Sequence, residues 1–523
     1  MAFDRASALS HLAEDFFDVV VVGGGVVGTA VALDATTRGL RTALIEKADF
    51  ASGTSSKSSK MVHGGIRYLQ QREFALVYEA LREREIARRT APHLVRVLPF
   101  LLPVFTKDGV LPRRLARVFG TTMWLYDLTG GARIGKLHRR VDREDAVKLM
   151  PTLPVKRLAT SYVYYDAGVD DARLVLTLAR TAADHGAVVA NYAPLVGLDK
   201  DAGGRVVSAR VAADGREITV RAHCIVNATG VWSDEVLALD DEGGGPTIRP
   251  SKGVHITVPW SLVRNEIAVV IPVPGDRRAV FVVPWGGEGG AHQFTYIGTT
   301  DTDYDGPLDE PACTPEDIEY LLRAINAIVE RKITTDDILG TWAGLRPLLR
   351  DARNERTADL SRRHKVVVAP SGVITVSGGK LTTFRYMAAD TVNHVVKAIG
   401  RGGRSHTRRL PLHGAQGWDA PDLPKELAER YGADARDVLA LQASDPELAK
   451  PLIEGLAYTK AEVVYAVRHE MARTVDDVLA RRTRARLLVR DASAAVAEAV
   501  AALMAAELGW SAEECAAQVA TYR

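Results

Sequence analysis

The stretch KMVHGGIRYLQ (residues 60–70) sets His63 and Arg67 on either side of Gly64-Gly65, with Tyr68 next in line. An imidazole changes charge near neutral pH and carries protons. A guanidinium stays charged, and its planar fork fits carboxylates and phosphates. Glycines without Cβ let the backbone lie against a ligand. The polar lead-in SGTSSKSSK adds short hydroxyls at Thr54, Ser55, Ser56 and Ser59. These are groups for holding a phosphorylated, hydroxylated ligand and moving a proton on it. Upstream, Gly23-x-Gly25-x-x-Gly28 gives a turn whose backbone can approach a pyrophosphate at a helix N-terminus. Glu46 and Lys47 follow about 20 residues on, the spacing at which an acid accepts ribose hydroxyls. A carboxylate there repels a 2′-phosphate, which argues against NADP.

Those residues need elements to position them. DVVVVGGGVVGTAVALDATTRGLRTALIEK (18–47) reads as strand, glycine turn, helix and strand. Val19–Val22 is a continuous apolar run, as expected of a strand buried on both faces. Strand, turn, helix and acid together predict a dinucleotide-binding βαβ unit. Residues 173–199 predict a helix followed by a strand. Residues 205–230 predict a hairpin turned at Asp214-Gly215, then a strand ending in Ala228-Thr229-Gly230. Two-domain flavoproteins complete their FAD-binding sheet with such a strand. HITVP (255–259), AVFVVPW (279–285) and FTYIGTT (294–300) predict a separate, largely antiparallel sheet. A glycine- and proline-rich linker (401–424) precedes a helical, alanine-rich tail.

A chain of 523 residues is too long for one core. Its net charge of +2 gives no reason to expect a nucleic-acid partner. Cys224, Cys313 and Cys515 are far apart and form no CxxC pair, which argues against a zinc site or disulfide framework and fits a reducing cytosol. Residues 1–17 lack a basic region followed by an apolar core, which argues against a signal peptide. No charge-free apolar run reaches the length of a spanning helix. Three motifs fail. DTDYDGPLDEPA (301–312) opens like a calcium loop but ends in Ala312. HEMAR (469–473) lacks the second histidine of a zinc helix. SGGKLTT (377–383) lacks P-loop spacing. No metal is expected.

Four segments resemble the FAD-dependent glycerol-3-phosphate dehydrogenases of the glycine-oxidase-like flavoprotein group. They are the βαβ unit, TSSKSSKMVHGGIRYL (54–69), GTWAGLRPLL (340–349) and SGGKLTTFRYMA (377–388). The resemblance implies an α/β fold: a Rossmann-like FAD-binding domain, an α+β antiparallel-sheet substrate domain and a C-terminal α-helical domain. The expected ranges are 18–85, 155–235 and 370–400 for the first, 86–154 and 236–369 for the second, and 405–523 for the third. It further implies oxidation of sn-glycerol 3-phosphate to dihydroxyacetone phosphate, with hydride passing from substrate C2 to FAD N5 and electrons going on to a quinone.

On that reading, Arg67, Arg346 and Arg362 are the expected phosphate ligands, with Arg363 or Arg356 as substitutes for Arg362, and Tyr68 stands beside them. His255 is the expected base and His63 its rival. Lys380 is expected near the flavin pyrimidine or the substrate oxygen, a second catalytic cation beside Arg346. FAD contacts are expected from Gly23, Gly25, Gly28, Glu46, Lys47, Thr54, Ser55, Ser56, Ser59, His63, Gly64, Gly65, Ala228, Thr229, Gly230, Gly378, Gly379, Lys380, Leu381 and Thr382. Residues 112–140 carry seven Lys/Arg and one Asp among Phe119, Met123, Trp124, Leu125 and Tyr126. They read either as a surface for an anionic membrane, on the cytoplasmic face of the inner membrane, or as an ordinary amphipathic cap helix. The tail, with ARRTRARLLVRDAS, reads as a candidate homodimer contact. The rival functions are an O₂-using oxidase, an amino-acid oxidase or demethylase of the same fold, and a redox-responsive binding module.

Overall fold

A computed structural model describes residues 3–65, 68, 73–106, 113–240, 247–276, 278–286, 291–350 and 363–523. Two sheets carry the site. The first is eight-stranded and runs His364–Val368, Ile374–Gly378, Arg216–Asn227, Phe16–Val22, Thr42–Ile45, Val188–Ala190, with the Leu195–Lys200 and Val206–Ala213 strands added beside Arg216–Asn227. Its centre is parallel: Val20 lies opposite both Ile225 and Ala43. Val19, Val20 and Val21 are fully buried because both faces of this strand are covered. Helices Val26–Thr37, Asp171–Asp184 and Phe384–Ile399 pack over one face, and helix Arg5–Glu14 and the hairpin cover the other. The predicted hairpin turns at Asp214 and Gly215, both with positive φ.

The second sheet has ten strands, in the order Thr302–Asp303, Ile248–Pro259, His292–Gly298, Ala279–Gly286, Ala268–Pro272, Val95–Phe105, Leu158–Val169, Met61–Val62. Gly340–Leu349 pairs along the other side of Ile248–Pro259. Three segments differ from expectation, the first being Met61–Val62, which was expected in the first domain and pairs with Leu158–Val169 in the second sheet. Leu158–Val169 was expected in the first domain and pairs instead with Val95–Phe105 in the second sheet. His364–Val368 was expected in the substrate domain and forms the edge of the first sheet. All three are decided by which distant strand offers a hydrogen-bonding edge, which local sequence does not carry.

The C-terminal helices have their own core around Val463, Ala466, Val478, Leu479, Val500 and Met504. Capping boxes at Thr459/Glu462 and Ser511/Glu514 start two of them. The arginines of ARRTR point inward: Arg481, Arg482 and Arg484 are buried against the chain's own first domain. They are therefore unavailable to the dimer contact read from the tail.

In the linker, His413 bridges Asp184 on the first domain (2.6 Å) and Asp434 on the tail (2.7 Å). Burial alone lowers its pKa, but the two carboxylate bonds outweigh burial and push it up to about 9. The folded pKa then lies above that of an unfolded histidine, about 6.5. Its stabilisation is fully present below that value and is lost as pH rises through 9. Denaturation of wild type and His413→Gln is expected to show a stability gap at pH 6 that has closed by pH 10. A gap independent of pH contradicts this.

Candidate active site

A cavity of about 680 Å³ runs between the glycine turn of the first sheet and the strands of the second. At one end Gly23 has φ +111°, a backbone region that disfavours side chains, and a Cβ there would lie 2.8 Å from the Ala228 carbonyl. A Cβ on Gly28 would lie 1.8 Å from the Gly23 carbonyl oxygen, so Gly28 serves close packing and does not line the cavity. Gly25 caps the Val26–Thr37 helix, whose first N–H donates to Ser55 Oγ at 3.0 Å. The Glu46 carboxylate accepts from the N–H groups of Gly24 (2.5 Å) and Ala48 (2.9 Å). It thus braces the turn and, with about four lone-pair positions, still has two for a ribose. Burial raises its pKa against those bonds.

Lys47 lines the same end, 4.4 Å from the Trp232 ring, and Gly53 leaves the room that ring needs. The Trp232 indole N–H is buried and has no hydrogen-bond partner among the described residues. Trp232 was missed in the sequence, although it stands two residues after Gly230. Ala228, Thr229 and Gly230 line the cavity, and Asn227 Oδ1 fixes that turn by accepting from Thr229 Oγ1 at 2.6 Å. Thr54, Ser55 and Ser59 line it too, and Thr54 Oγ1 ties the loop to Leu345 O. Ser56 does not: it is buried, and its carbonyl accepts from Lys60 Nζ. The expected FAD contact of its hydroxyl is not supported.

In the middle, Gly378 and Gly379 both have positive φ and lead into Lys380, Leu381 and Thr382. Lys380 Nζ donates to Gly64 O at 3.3 Å and lies 5.1 Å from the Tyr68 ring centre. Thr382 Oγ1 sits 3.1 Å from both the N–H and the carbonyl of His63. Desolvation and then Lys380 lower the His63 pKa to about 4. Gly65 lines the cavity; Gly64 does not, because it packs under Leu81 and Tyr126, where a Cβ would collide.

At the other end, His255 is 2% exposed and stacks on Trp342 with ring centres 4.7 Å apart and planes at 7°. Its Nε2 lies 2.8 Å from Ser59 Oγ, and its Nδ1 has no hydrogen-bond partner among the described residues. Burial first, then Lys60 and Arg346, hold its pKa well below the usual value. It is therefore neutral at pH 7, the form that accepts a proton. Arg346 lies within 3.3 Å of Asp301 Oδ1 and donates to Thr300 O at 3.1 Å and Thr299 Oγ1 at 3.2 Å. Arg278, also missed, lines the cavity, is paired with Asp276 and donates to Asp301 O at 2.7 Å. Asp301 belongs to the sequence set aside as a failed calcium loop; it anchors two arginines instead. Arg67, Arg356 and Arg362 lie outside the described residues. Arg363 pairs with Glu73.

Residues 18–385 match the FAD dependent oxidoreductase family, and residues 405–515 match the C-terminal domain of alpha-glycerophosphate oxidase. A glycerol-3-phosphate dehydrogenase of Mycobacterium leprae is 43% identical over 99% of this chain and 89% of its own length. The chain belongs to the FAD-dependent glycerol-3-phosphate dehydrogenase family. The glycerol-3-phosphate dehydrogenase of Bacillus halodurans, solved with FAD, superposes with a TM-score of 0.79 at 29% identity, covering 99% of this chain and 95% of that one. Glycine oxidase from Geobacillus kaustophilus shares the fold alone, with a TM-score of 0.51 at 20% identity over 74% of this chain and 95% of that one.

FAD is this family member's cofactor, and the cradle fits it: two close-approach glycines, a helix N-terminus, a carboxylate with spare acceptors and an indole N–H with no partner among the described residues. Gly28→Ala tests the cradle. Its methyl would meet backbone, which cannot swing aside, at a cost of ~1–3 kcal/mol. The variant is expected to retain FAD about tenfold or more less tightly. Full FAD occupancy after dilution and gel filtration would contradict this.

Proposed function

We propose that this member of the family oxidises sn-glycerol 3-phosphate to dihydroxyacetone phosphate and passes the electrons to a quinone. The observation that carries the reading is one cavity joining the dinucleotide cradle to a neutral, buried His255 beside Arg346, with Arg278 on the same wall. Bound FAD supplies the two-electron acceptor. His255 takes the proton of the C2 hydroxyl. Arg346 and Arg278 set two guanidiniums on the cavity wall, and their planar forks suit a phosphate. Lys380 adds positive charge where electrons arrive.

Quinone access is proposed through peripheral contact with an anionic bilayer. Helix Arg113–Leu128 exposes Val118, Trp124 and Leu128 and buries Met123 and Tyr126 into the second sheet's core. Among the described residues no helix is long and apolar enough to cross a membrane.

The test is anaerobic addition of glycerol 3-phosphate to the yellow holoprotein. Bleaching of the flavin is expected; an unbleached spectrum sinks the reading. Rapid oxygen consumption on admitting air would replace the quinone with O₂. Failure to float with anionic vesicles at low salt would end the membrane contact.

A further inference from the structure

We infer that the C-terminal helical domain helps build the active site: Arg484 positions His255 through Asp171 and the Ser58–Lys60 loop. This rests on the reading of His255 as the base. Arg484 is fully buried and has φ +59°, a conformation uncommon for a residue with a side chain. Its guanidinium donates to Asp170 (2.6 Å), to Asp171 and to the Ala480 carbonyl (3.2 Å). Asp171 is equally buried. It accepts from Ser58 N–H (3.1 Å), Ser58 Oγ (2.7 Å) and Lys60 Nζ (2.9 Å).

The same loop then reaches the histidine three ways. Ser59 Oγ meets His255 Nε2. Ser58 O accepts from the indole of Trp342, the ring on which His255 stacks. Ser59 O accepts from Tyr296, whose ring stands 6.2 Å from the imidazole. Lys60, at φ +54°, places its ammonium 5.2 Å from the centre of Trp342. A second strut is independent. Thr257, two residues along the strand from His255, donates to Leu487 O at 2.8 Å. Gly340 packs so closely on that carbonyl that a Cβ would lie 2.2 Å away.

The electrostatics explain why this arrangement transmits position. Arg484 and Lys60 balance Asp170 and Asp171 in a quartet whose members are buried except Asp170, which is partly exposed. Removing Arg484 leaves Asp170 and the buried Asp171 to share the single Lys60 cation, a costly state that the loop relieves by moving. The Ser59–His255 bond moves with it. The charged groups acting on His255 are Lys60 from the loop and Arg346 from the Gly340–Leu349 strand; Ser59, Tyr296 and Trp342 around it are neutral.

The test compares Arg484→Gln, Arg484→Lys and Ser58→Ala holoproteins with wild type in anaerobic flavin reduction by glycerol 3-phosphate. Arg484→Gln and Ser58→Ala are expected to reduce flavin about tenfold or more slowly with KM changed less than about threefold, at unchanged FAD content. Arg484→Lys is expected to recover most of the loss. Lys60→Met removes a cation beside His255 and is expected to move the acid limb of the rate, and the histidine's own titration by NMR, upward by about one pH unit. If Arg484→Gln does not fold, Ser58→Ala and Lys60→Met decide. Wild-type rates and an unmoved limb in FAD-replete variants overturn the inference. A wild-type protein that glycerol 3-phosphate does not bleach overturns the substrate reading instead.

Discussion

Asp49→Ala is expected to cost about 3–5 kcal/mol in the docking of the C-terminal helices onto the first domain. Asp49 is fully buried and accepts from Arg482 Nη1 (2.6 Å), Arg482 Nη2 (3.0 Å) and Arg481 Nε (2.6 Å). The carboxylate comes from the loop after Glu46, and the arginines come from more than 400 residues later. Burial works to raise its pKa, but Arg482 and Arg481 outweigh burial and hold it below the usual carboxylate value. A depressed folded pKa means the stabilisation is present above the unfolded value, about 3.9, and is lost only as pH falls through the lower folded one. Without Asp49, Arg482 keeps Glu470 and Arg481 keeps Asp476 and Asp477, but two buried cations lose their shared anion. Arg41→Ala is the control. Its pair with Asp15 is half exposed and is expected to be worth about 0–1 kcal/mol. Urea denaturation at pH 7 reads both, and equal midpoints for the two variants would refute the assignment.

The same residues show what was legible in the sequence. The βαβ unit was readable because its signals are local: an all-buried valine run, three spaced glycines and an acid at strand end. The hairpin at Asp214-Gly215 was readable because its turn chemistry forces the backbone. His255 could be named but not understood. Its neighbours Gly298 and Trp342 come from the two strands paired across from it, and its partner Ser59 from a loop 196 residues away. The ARRTR arginines read as part of a candidate homodimer contact, and they turn inward instead. Their burial follows from acids at 49, 170 and 171 that no spacing rule connects to them. Asp301 was discarded because its motif was judged as a metal loop, whereas its carboxylate serves a guanidinium. Local rules see one chain segment; ion pairs across domains need the fold first.

His255→Gln is expected to slow flavin reduction by about 10²–10⁴-fold, the usual worth of a positioned general base. Glutamine keeps a polar group near Ser59 but takes no proton. The pH dependence is the sharper readout. A base acts when unprotonated, and burial, Lys60 and Arg346 hold His255 well below 6.5 in the free protein. Its titration in the substrate-free protein, followed by NMR, should therefore lie below pH 6.5. A bound phosphate dianion offsets the field of Arg346, which raises the basicity of the imidazole when substrate is in place. The acid limb at saturating substrate should accordingly lie above the histidine's titration in substrate-free protein. The substrate's own second ionisation, near pH 6, enters kcat/KM, so the comparison belongs on the rate at saturation. His255→Gln should lose the limb and leave a slow, flat rate. His63 supplies the counter-test: it is fixed through its backbone to Thr382, with its pKa lowered to about 4. His63→Gln should keep both the limb and a rate within about tenfold of wild type. If His63→Gln loses the limb and His255→Gln keeps it, the two histidines exchange roles.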